Sequence, residues 1–210
     1  EKFALEEIAK ALTGERGFLG YYICDECEEL GPWSDDTTYG AGKRLWQHSE
    51  WLKDLTPGSI RYSATRRPYW MFRLREHGDV FAPDPYPWNH PAFGKGLGAN
   101  NSSLRLDDEW TDLTVKAVKN SRPVLMIMQS FDGIDGNTLP TYDAMRMEAY
   151  KAIIGGAKGL MYWNMGIPEG SVEADRKSAS EIVRVYNDFK RILKEIAALK
   201  AVLIQNDDSS

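Results

Sequence analysis

The sequence is poor in cysteine and histidine, the residues that most often hold metals or carry redox chemistry. It has two cysteines and three histidines among 210 residues. Cys24 and Cys27 form a single Cys-Asp-Glu-Cys motif, which is at most half of a zinc site because no second pair or histidine cluster follows it. We therefore expect a buried thiol at Cys24 and a loop thiol at Cys27 rather than a chemical site.

Positive charge and long apolar runs are also lacking. Lys and Arg number 26 against 31 Asp and Glu, a net charge of −5, and no basic block stands out. This balance disfavours nucleic acid as a partner. No apolar run approaches the roughly 20 residues of a membrane helix. No Gly-x-Gly-x-x-Gly motif follows the first predicted strand and no Walker loop occurs, so we predict no nucleotide or other cofactor.

No leader segment is visible, and the chain begins at Glu1 without a methionine. We therefore expect that an upstream region is missing, in which case the absence of a signal peptide says little about export. Localisation stays open, with a secreted or periplasmic protein as one expectation. The sequence predicts no particular oligomeric state.

Apolar periodicity predicts a leading helix followed by five strand-plus-helix units. The predicted helices are residues 3–12, 39–55, 69–78, 107–119, 140–156 and 174–199; the predicted strands are 18–24, 59–64, 79–84, 122–131 and 157–165. The strands lack period-2 alternation, which is typical of a parallel sheet covered on both faces. The fold class is α/β, either an open sheet or a (β/α)8 TIM-type barrel of which this chain contains about five units.

Polar and aromatic residues follow every predicted strand. They are Asp25, Glu26 and Glu28 after the first; Thr65, Arg66 and Arg67 after the second; Asp84, Tyr86 and Trp88 after the third; Gln129, Ser130, Phe131 and Asp132 after the fourth; and Trp163 and Asn164 after the fifth. Ligands bind at the carboxyl ends of parallel strands. Carboxylates, amides and aromatic rings gathered there would suit a sugar, with hydroxyls to hydrogen-bond and faces to stack.

Other conspicuous residues have simpler interpretations. Tyr21 and Tyr22 are expected in the core, since they lie inside an apolar strand. His48 and His77 lie in helical segments and are expected at the surface. His90, in the loop after the third strand, is a candidate for ligand contact because functional residues favour loops.

Four segments together resemble a known family: "GFLGYYICDE", "DVFAPDPYPW", "RPVLMIMQSF" and "MRMEAYKAIIGGAKGLMYWNM". They resemble the second half, strands four to eight, of glycoside-hydrolase-like (β/α)8 barrels related to clan A of retaining glycosidases. The resemblance spans about Phe18 to Leu199. It implies that residues 1–200 are the C-terminal portion of a barrel, and that residues 201–210 begin a following segment, a truncated β-sandwich.

The resemblance implies catalytic roles for specific carboxylates. Glu26 corresponds to the acid/base at the end of the fourth barrel strand, with its pKa raised by the apolar strand end and by Asp25. A second carboxylate is needed roughly 5–5.5 Å away in a retaining enzyme and roughly 6.5–9.5 Å away in an inverting one. Gln129 stands where the family has a nucleophilic Glu. Asp84 is therefore the leading second carboxylate, with Asp132 or Asp25 behind it.

The predicted substrate is an oligo- or polysaccharide. The predicted contacts to it are Arg66, Tyr86, Trp88, His90, Gln129, Asp132, Trp163 and Asn164. Among these, Gln129 and Asn164 would hold hydroxyls, Arg66 a carboxylate or hydroxyl, and Trp88 and Trp163 would form a stacking platform.

Two other functions remain open at this point. One is a carbohydrate-binding barrel without catalytic activity, which the amide at Gln129 favours. The other is a metal-dependent hydrolase or lyase in which Asp25, Glu26, Asp84 and His90 hold Mg²⁺ or Ca²⁺ through oxygen ligands.

Overall fold

The computed structural model describes residues 2–26, 41–65, 75, 78–86, 106–119, 121–130, 139–163 and 179–203. Its helices are α1 (Lys2–Leu12), α2 (Ala41–Leu55), α3 (Leu106–Ala117), α4 (Tyr142–Ile154), α5 (Ala179–Ala198) and α6 (Lys200–Leu203); its strands are β1 (Gly20–Cys24), β2 (Ile60–Thr65), β3 (Val80–Pro83), β4 (Leu125–Gln129) and β5 (Gly159–Trp163). These bounds lie within a few residues of the predicted ones. The predicted helix at 69–78 lies almost wholly outside the described residues.

Three strands form a parallel sheet in the order β1-β2-β3. Tyr22 is paired with Tyr62, and Tyr62 with Val80, while the register shifts between Tyr22 and Cys24. β4 and β5 form a second sheet. A single parallel bridge joins Phe81 of β3 to Val124, just before β4. Helices alternate with these strands along the chain, so the α/β prediction is confirmed.

The chain divides into two compact units. The first comprises Glu1–Pro85, Arg105–Ile127 and Ala152–Met161, and the second Tyr86–Leu104, Met128–Lys151 and Tyr162–Ser210. In the first unit, Phe81, Val118 and Val124 form a buried cluster against which Ile23 and Val115 pack. Because this cluster joins β3 to the end of α3, it fixes the sheet beneath its helical layer.

An ion pair between buried Arg61 and half-buried Asp79 ties the beginnings of β2 and β3 together in the first unit. Arg61, only 6 % exposed, donates from Nε and Nη2 to the two carboxylate oxygens of Asp79, both at 2.8 Å. Its Nη1 donates to the Ser49 carbonyl at 3.1 Å, which extends the link to α2. The pair lies at the opposite edge of the sheet from the carboxyl ends of the strands.

In the second unit, α5 buries one narrow stripe. Val185 and Ile192, seven residues apart, are fully buried, whereas Tyr186 and Leu193 are 48 % and 40 % exposed. An apolar stripe only about 100° wide cannot hold every apolar residue of the helix, so the flanking positions face water.

A carboxylate joins α4 to α5 in this unit. Glu195 accepts hydrogen bonds from the Tyr142 hydroxyl and from Arg146 Nε, the latter at 2.6 Å. These donors hold the pKa of Glu195 below its ordinary value. None of the described helices is both long and apolar enough to cross a membrane.

Candidate functional site

The parallel register of the first sheet places the carboxyl ends of β1, β2 and β3 at one edge. Asp25 and Glu26 follow β1 directly, and Asp84 follows β3. The backbone N–H of Asp84 donates to the carbonyl of Thr65 at 3.0 Å, which fixes Asp84 beside the end of β2. The three residues predicted as catalytic therefore emerge from the same edge of one sheet.

These carboxylates differ in environment. Asp84 is only 2 % exposed, Glu26 is half-buried and Asp25 is exposed. Glu26 has a φ of 44°, in the left-handed region that a residue with a side chain seldom adopts. Such backbone conformations cluster at functional sites, where the surrounding structure maintains them. The chain thus turns sharply at the residue predicted to be the proton donor.

Tyr22 belongs to this edge, contrary to its predicted place in the core. Its side chain is 40 % exposed, whereas Tyr21 is buried and packs edge-on against Phe18. Successive side chains of a strand point to opposite faces, so two adjacent tyrosines cannot share one core. The two adjacent tyrosines in the sequence indicate that one of them faces away from the core. The expectation of a strand covered on both faces had placed both tyrosines in the core.

Two contacts hold Tyr22 in place. Its hydroxyl donates a hydrogen bond to Asp25 Oδ1. Its ring stacks on that of Tyr62, the paired residue of β2, with centroids 4.4 Å apart and planes 10° from parallel. A tyrosine pair supported by two strands therefore presents a hydroxyl to a carboxylate at the strand ends.

The electrostatics of this group keep Tyr22 neutral. Burial raises the pKa of the Tyr22 hydroxyl, and the hydrogen bond to Asp25 and the charges of Asp25 and Asp84 raise it further. Burial and the charge of Asp25 also raise the pKa of Tyr62. Tyr22 therefore remains a hydrogen-bond donor throughout the physiological range of pH.

The second unit has its own polar strand ends. Gln129 and Ser130 at the end of β4 are fully buried, and the Ser130 hydroxyl donates to the carbonyl of Trp163 at the end of β5. Trp163 is 37 % exposed. Tyr86 is half-buried and has a φ of 43°. An indole ring with open surface beside a fixed polar strand end suits stacking on a sugar.

Five of the predicted binding residues lie outside the described residues. They are Arg66, Trp88, His90, Asp132 and Asn164. Within the described ranges, no group of three or more His, Cys, Asp or Glu side chains is arranged to hold a metal ion.

Cys24 is disulfide-bonded, so the expectation of a buried thiol there is wrong. The chain has one other cysteine, Cys27, which lies outside the described residues. Cys24 is the last residue of β1 and is only half-buried. The Cys-x-x-Cys spacing is short enough for the two cysteines to form a disulfide with each other. Free thiols were expected at this motif because only metal binding and redox catalysis were considered for it.

The chain has a glycosidase-like fold, since the solved structures that it resembles are glycoside hydrolases. A candidate α-L-fucosidase from Bacteroides thetaiotaomicron matches 92 % of this chain and 60 % of its own length, with a TM-score of 0.63 and 13 % identity. A GH5_18 variant from Streptomyces cattleya in complex with Manβ1-4GlcNAc matches 90 % of this chain and 52 % of its own length, with a TM-score of 0.59 and 15 % identity.

A third neighbour is the GH2 β-galacturonidase from Eisenbergiella tayi bound to galacturonate. It matches 90 % of this chain and 36 % of its own length, with a TM-score of 0.55 and 16 % identity. The chain thus spans between about a third and three fifths of the length of these structures. At such identities the likeness is one of fold. The sequence matches no known family profile and no curated protein.

Proposed function

We propose that this chain belongs to a glycoside hydrolase and carries its proton donor, Glu26. The observation that supports this most directly is the common edge of β1, β2 and β3, from which Asp25, Glu26 and Asp84 emerge. Glycosidic cleavage needs two carboxyl groups facing one bond, one of them protonated. A half-buried Glu26 beside the charge of Asp25 suits the protonated role, because burial and a like charge both favour the neutral acid.

Asp84 is the proposed second carboxylate, acting as nucleophile or as the base that activates water. β1 and β3 are separated by one strand, so their backbones are roughly 10 Å apart at two strand spacings. Side chains from backbones at this spacing can reach either the roughly 5–5.5 Å carboxyl separation of retaining enzymes or the roughly 6.5–9.5 Å of inverting ones. The amide of Gln129 cannot serve as a nucleophile, which also directs the role to Asp84.

The proposed substrate is an oligo- or polysaccharide. Trp163 and Trp88 would stack on sugar rings, and Gln129, Asn164, Arg66, Tyr86, His90 and Asp132 would contact hydroxyls or a carboxylate. The neighbouring structures hold Manβ1-4GlcNAc and galacturonate, so neutral and acidic sugars are both worth testing.

The proposed architecture is the later part of a (β/α)8 barrel over residues 1–200, followed by the start of another segment at 201–210. Two features support it: the parallel order β1-β2-β3 with the Phe81–Val124 bridge towards β4, and the likeness to longer glycosidase structures. The disulfide at Cys24 supports an oxidising location, such as the periplasm or the cell exterior.

The first test compares two kinds of substrate for the full chain and for Glu26→Gln. Substrates are 4-nitrophenyl and methyl glycosides of mannose, glucose, fucose, galacturonate and glucuronate. Loss of a general acid lowers the rate by about 10²- to 10⁴-fold. We expect that loss in kcat/KM for the methyl glycoside, whose alcohol leaves only when protonated, and a smaller loss for the 4-nitrophenyl glycoside.

The matched control is Glu15→Gln, an exposed carboxylate in the loop after α1, which should leave both rates unchanged. Equal losses on the two substrates would remove Glu26 from the acid role. No hydrolysis of any substrate, together with sugar binding seen in NMR titrations, would favour the non-catalytic carbohydrate-binding barrel. The anomer formed first, observed by proton NMR, distinguishes inversion from retention.

A further inference from the structure

We propose that Tyr22 is the positioning residue of this site, whose hydroxyl holds the Asp25 carboxylate at the carboxyl end of β1, beside Glu26. This inference rests on the proposed function for its consequence in catalysis. The contact itself, in which the Tyr22 hydroxyl fixes the Asp25 carboxylate, depends only on the geometry of the first unit.

The first step of the argument is the contact itself. Tyr22 is the third residue of β1, and Asp25 is the first residue beyond the strand. Asp25 is exposed, so without a partner its side chain would sample several rotamers in water. The hydrogen bond from the Tyr22 hydroxyl to Oδ1 selects one of them. A hydrogen bond to an ionised acceptor is stronger than one between neutral groups.

The second step is the support of the donor. The Tyr22 ring stacks on Tyr62 at 4.4 Å, and the two residues are direct partners in the β1–β2 register. Sheet pairing thus fixes the ring, and the ring fixes its hydroxyl. Within the described part of the chain, the Tyr62 hydroxyl donates no hydrogen bond, so its contribution is the stacked ring.

The third step is what the arrangement does for Glu26. Asp25 and Glu26 are adjacent, and the backbone at Glu26 turns through a left-handed conformation. The hydrogen bond from Tyr22 fixes the side chain that directly precedes this turn, and so restricts the backbone that carries the proposed acid. A general acid must be held within hydrogen-bond reach of the oxygen that it protonates, so a fixed turn at Glu26 favours catalysis.

A conservative variant tests the proposal, with a matched control in the same strand. Tyr22→Phe removes the hydroxyl and keeps the stacked ring. Tyr21→Phe removes the neighbouring hydroxyl, which has no hydrogen-bond partner among the described residues. We expect kcat/KM on the methyl glycoside to fall about tenfold or more in Tyr22→Phe. It should stay within twofold in Tyr21→Phe, with both melting temperatures close to that of the parent chain.

A spectroscopic readout tests the contact without any activity. The ring carbon bonded to the hydroxyl is followed by ¹³C NMR in tyrosine-labelled chain during a titration to high pH, and Tyr22→Phe assigns the signal. In the parent chain Tyr22 should ionise well above an ordinary tyrosine. In Asp25→Asn the charge is lost, so Tyr22 should ionise at distinctly lower pH.

The outcomes separate the two claims. Ionisation of Tyr22 at the same pH in Asp25→Asn as in the parent chain would overturn the positioning contact. A rate for Tyr22→Phe equal to that of Tyr21→Phe would overturn its catalytic consequence. If the parent chain hydrolyses nothing but the NMR shift is seen, the proposed hydrolase function fails and the Tyr22–Asp25 contact stands.

Discussion

At the scale of single residues, the charged side chains at the two ends of the first sheet have different environments. At one end, Arg61 and Asp79 satisfy each other in a two-point pair, with Ser49 accepting the remaining hydrogen bonds. At the other end, Asp25, Glu26 and Asp84 follow the ends of β1 and β3, and Asp25 accepts a hydrogen bond from the Tyr22 hydroxyl. Breaking a buried ion pair is costly because it leaves one charge uncompensated, whereas carboxylates collected at strand ends are candidates for chemistry.

The Arg61–Asp79 pair predicts a pH dependence of stability. The hydrogen bonds from Arg61 hold the pKa of Asp79 below its ordinary value of 3.8. A lowered folded-state pKa means that the stabilisation is fully present above pH about 4 and is lost as the pH falls through the folded-state value. We expect thermal melts to show a drop below pH 4 that is smaller in Asp79→Asn.

The control for that experiment is Asp54→Asn, an exposed carboxylate of α2. It should retain the acid-induced drop of the parent chain. In a companion variant, Arg61→Met leaves Asp79 without its partner and should cost about 3 kcal/mol in the free energy of unfolding measured with urea. A cost below 1 kcal/mol would mean that solvent replaces the guanidinium.

The residue scale is also where the sequence was least informative. Asp25, Glu26 and Asp84 were predicted because carboxylates at strand ends stand out in any reading of the chain. Tyr22 was not, because its role depends on the side of the sheet it faces and on Tyr62, forty residues later. Periodicity in one strand cannot reveal which face is covered.

At the scale of elements, glycine sets how closely strands approach. Gly20 begins β1 and Gly159 begins β5. A Cβ at Gly20 would lie 1.9 Å from the carbonyl oxygen of Ile60, a backbone atom of the paired strand. A Cβ at Gly159 would meet the end of the Leu125 side chain, at 2.4 Å. A side chain can rotate away, whereas a paired backbone cannot.

We therefore expect the Gly→Ala substitution to lower the free energy of unfolding by different amounts at the two positions. Gly20→Ala should separate β1 from β2 and reduce the free energy of unfolding by about 3 kcal/mol, at the upper end of overpacking costs. Gly159→Ala should cost about 1 kcal/mol, because Leu125 can change rotamer. Urea titrations of both variants provide the comparison, and equal costs would contradict the distinction between backbone and side-chain neighbours.

Element types and order were predictable, because apolar periodicity and glycine boundaries act locally. The predicted strand 18–24 contains β1, and the predicted helix 140–156 contains α4. What failed was the extent of burial. Tyr22 of β1 was expected in the core but is 40 % exposed, since burial depends on which elements cover a strand.

At the scale of the whole molecule, the disulfide at Cys24 predicts a simple chemical result. The chain has two cysteines, so the denatured, unreduced protein should react with no thiol reagent and the reduced protein should show two thiols. A chain purified from an oxidising environment is the proper sample. Two reactive thiols before reduction would contradict the bond, and Cys24→Ser should then leave the melting temperature unchanged.

By itself, the sequence determined the α/β class, the order of helices and strands and the carboxylates at the strand ends, because each depends on residues close together in the chain. Tertiary structure decided the rest: the parallel register that brings Asp25, Glu26 and Asp84 to one edge, the burial of Asp84, and the stacked Tyr22–Tyr62 pair. These features depend on contacts between segments that are distant in the chain. The periodicity of one segment does not predict which strand pairs with it or in which register.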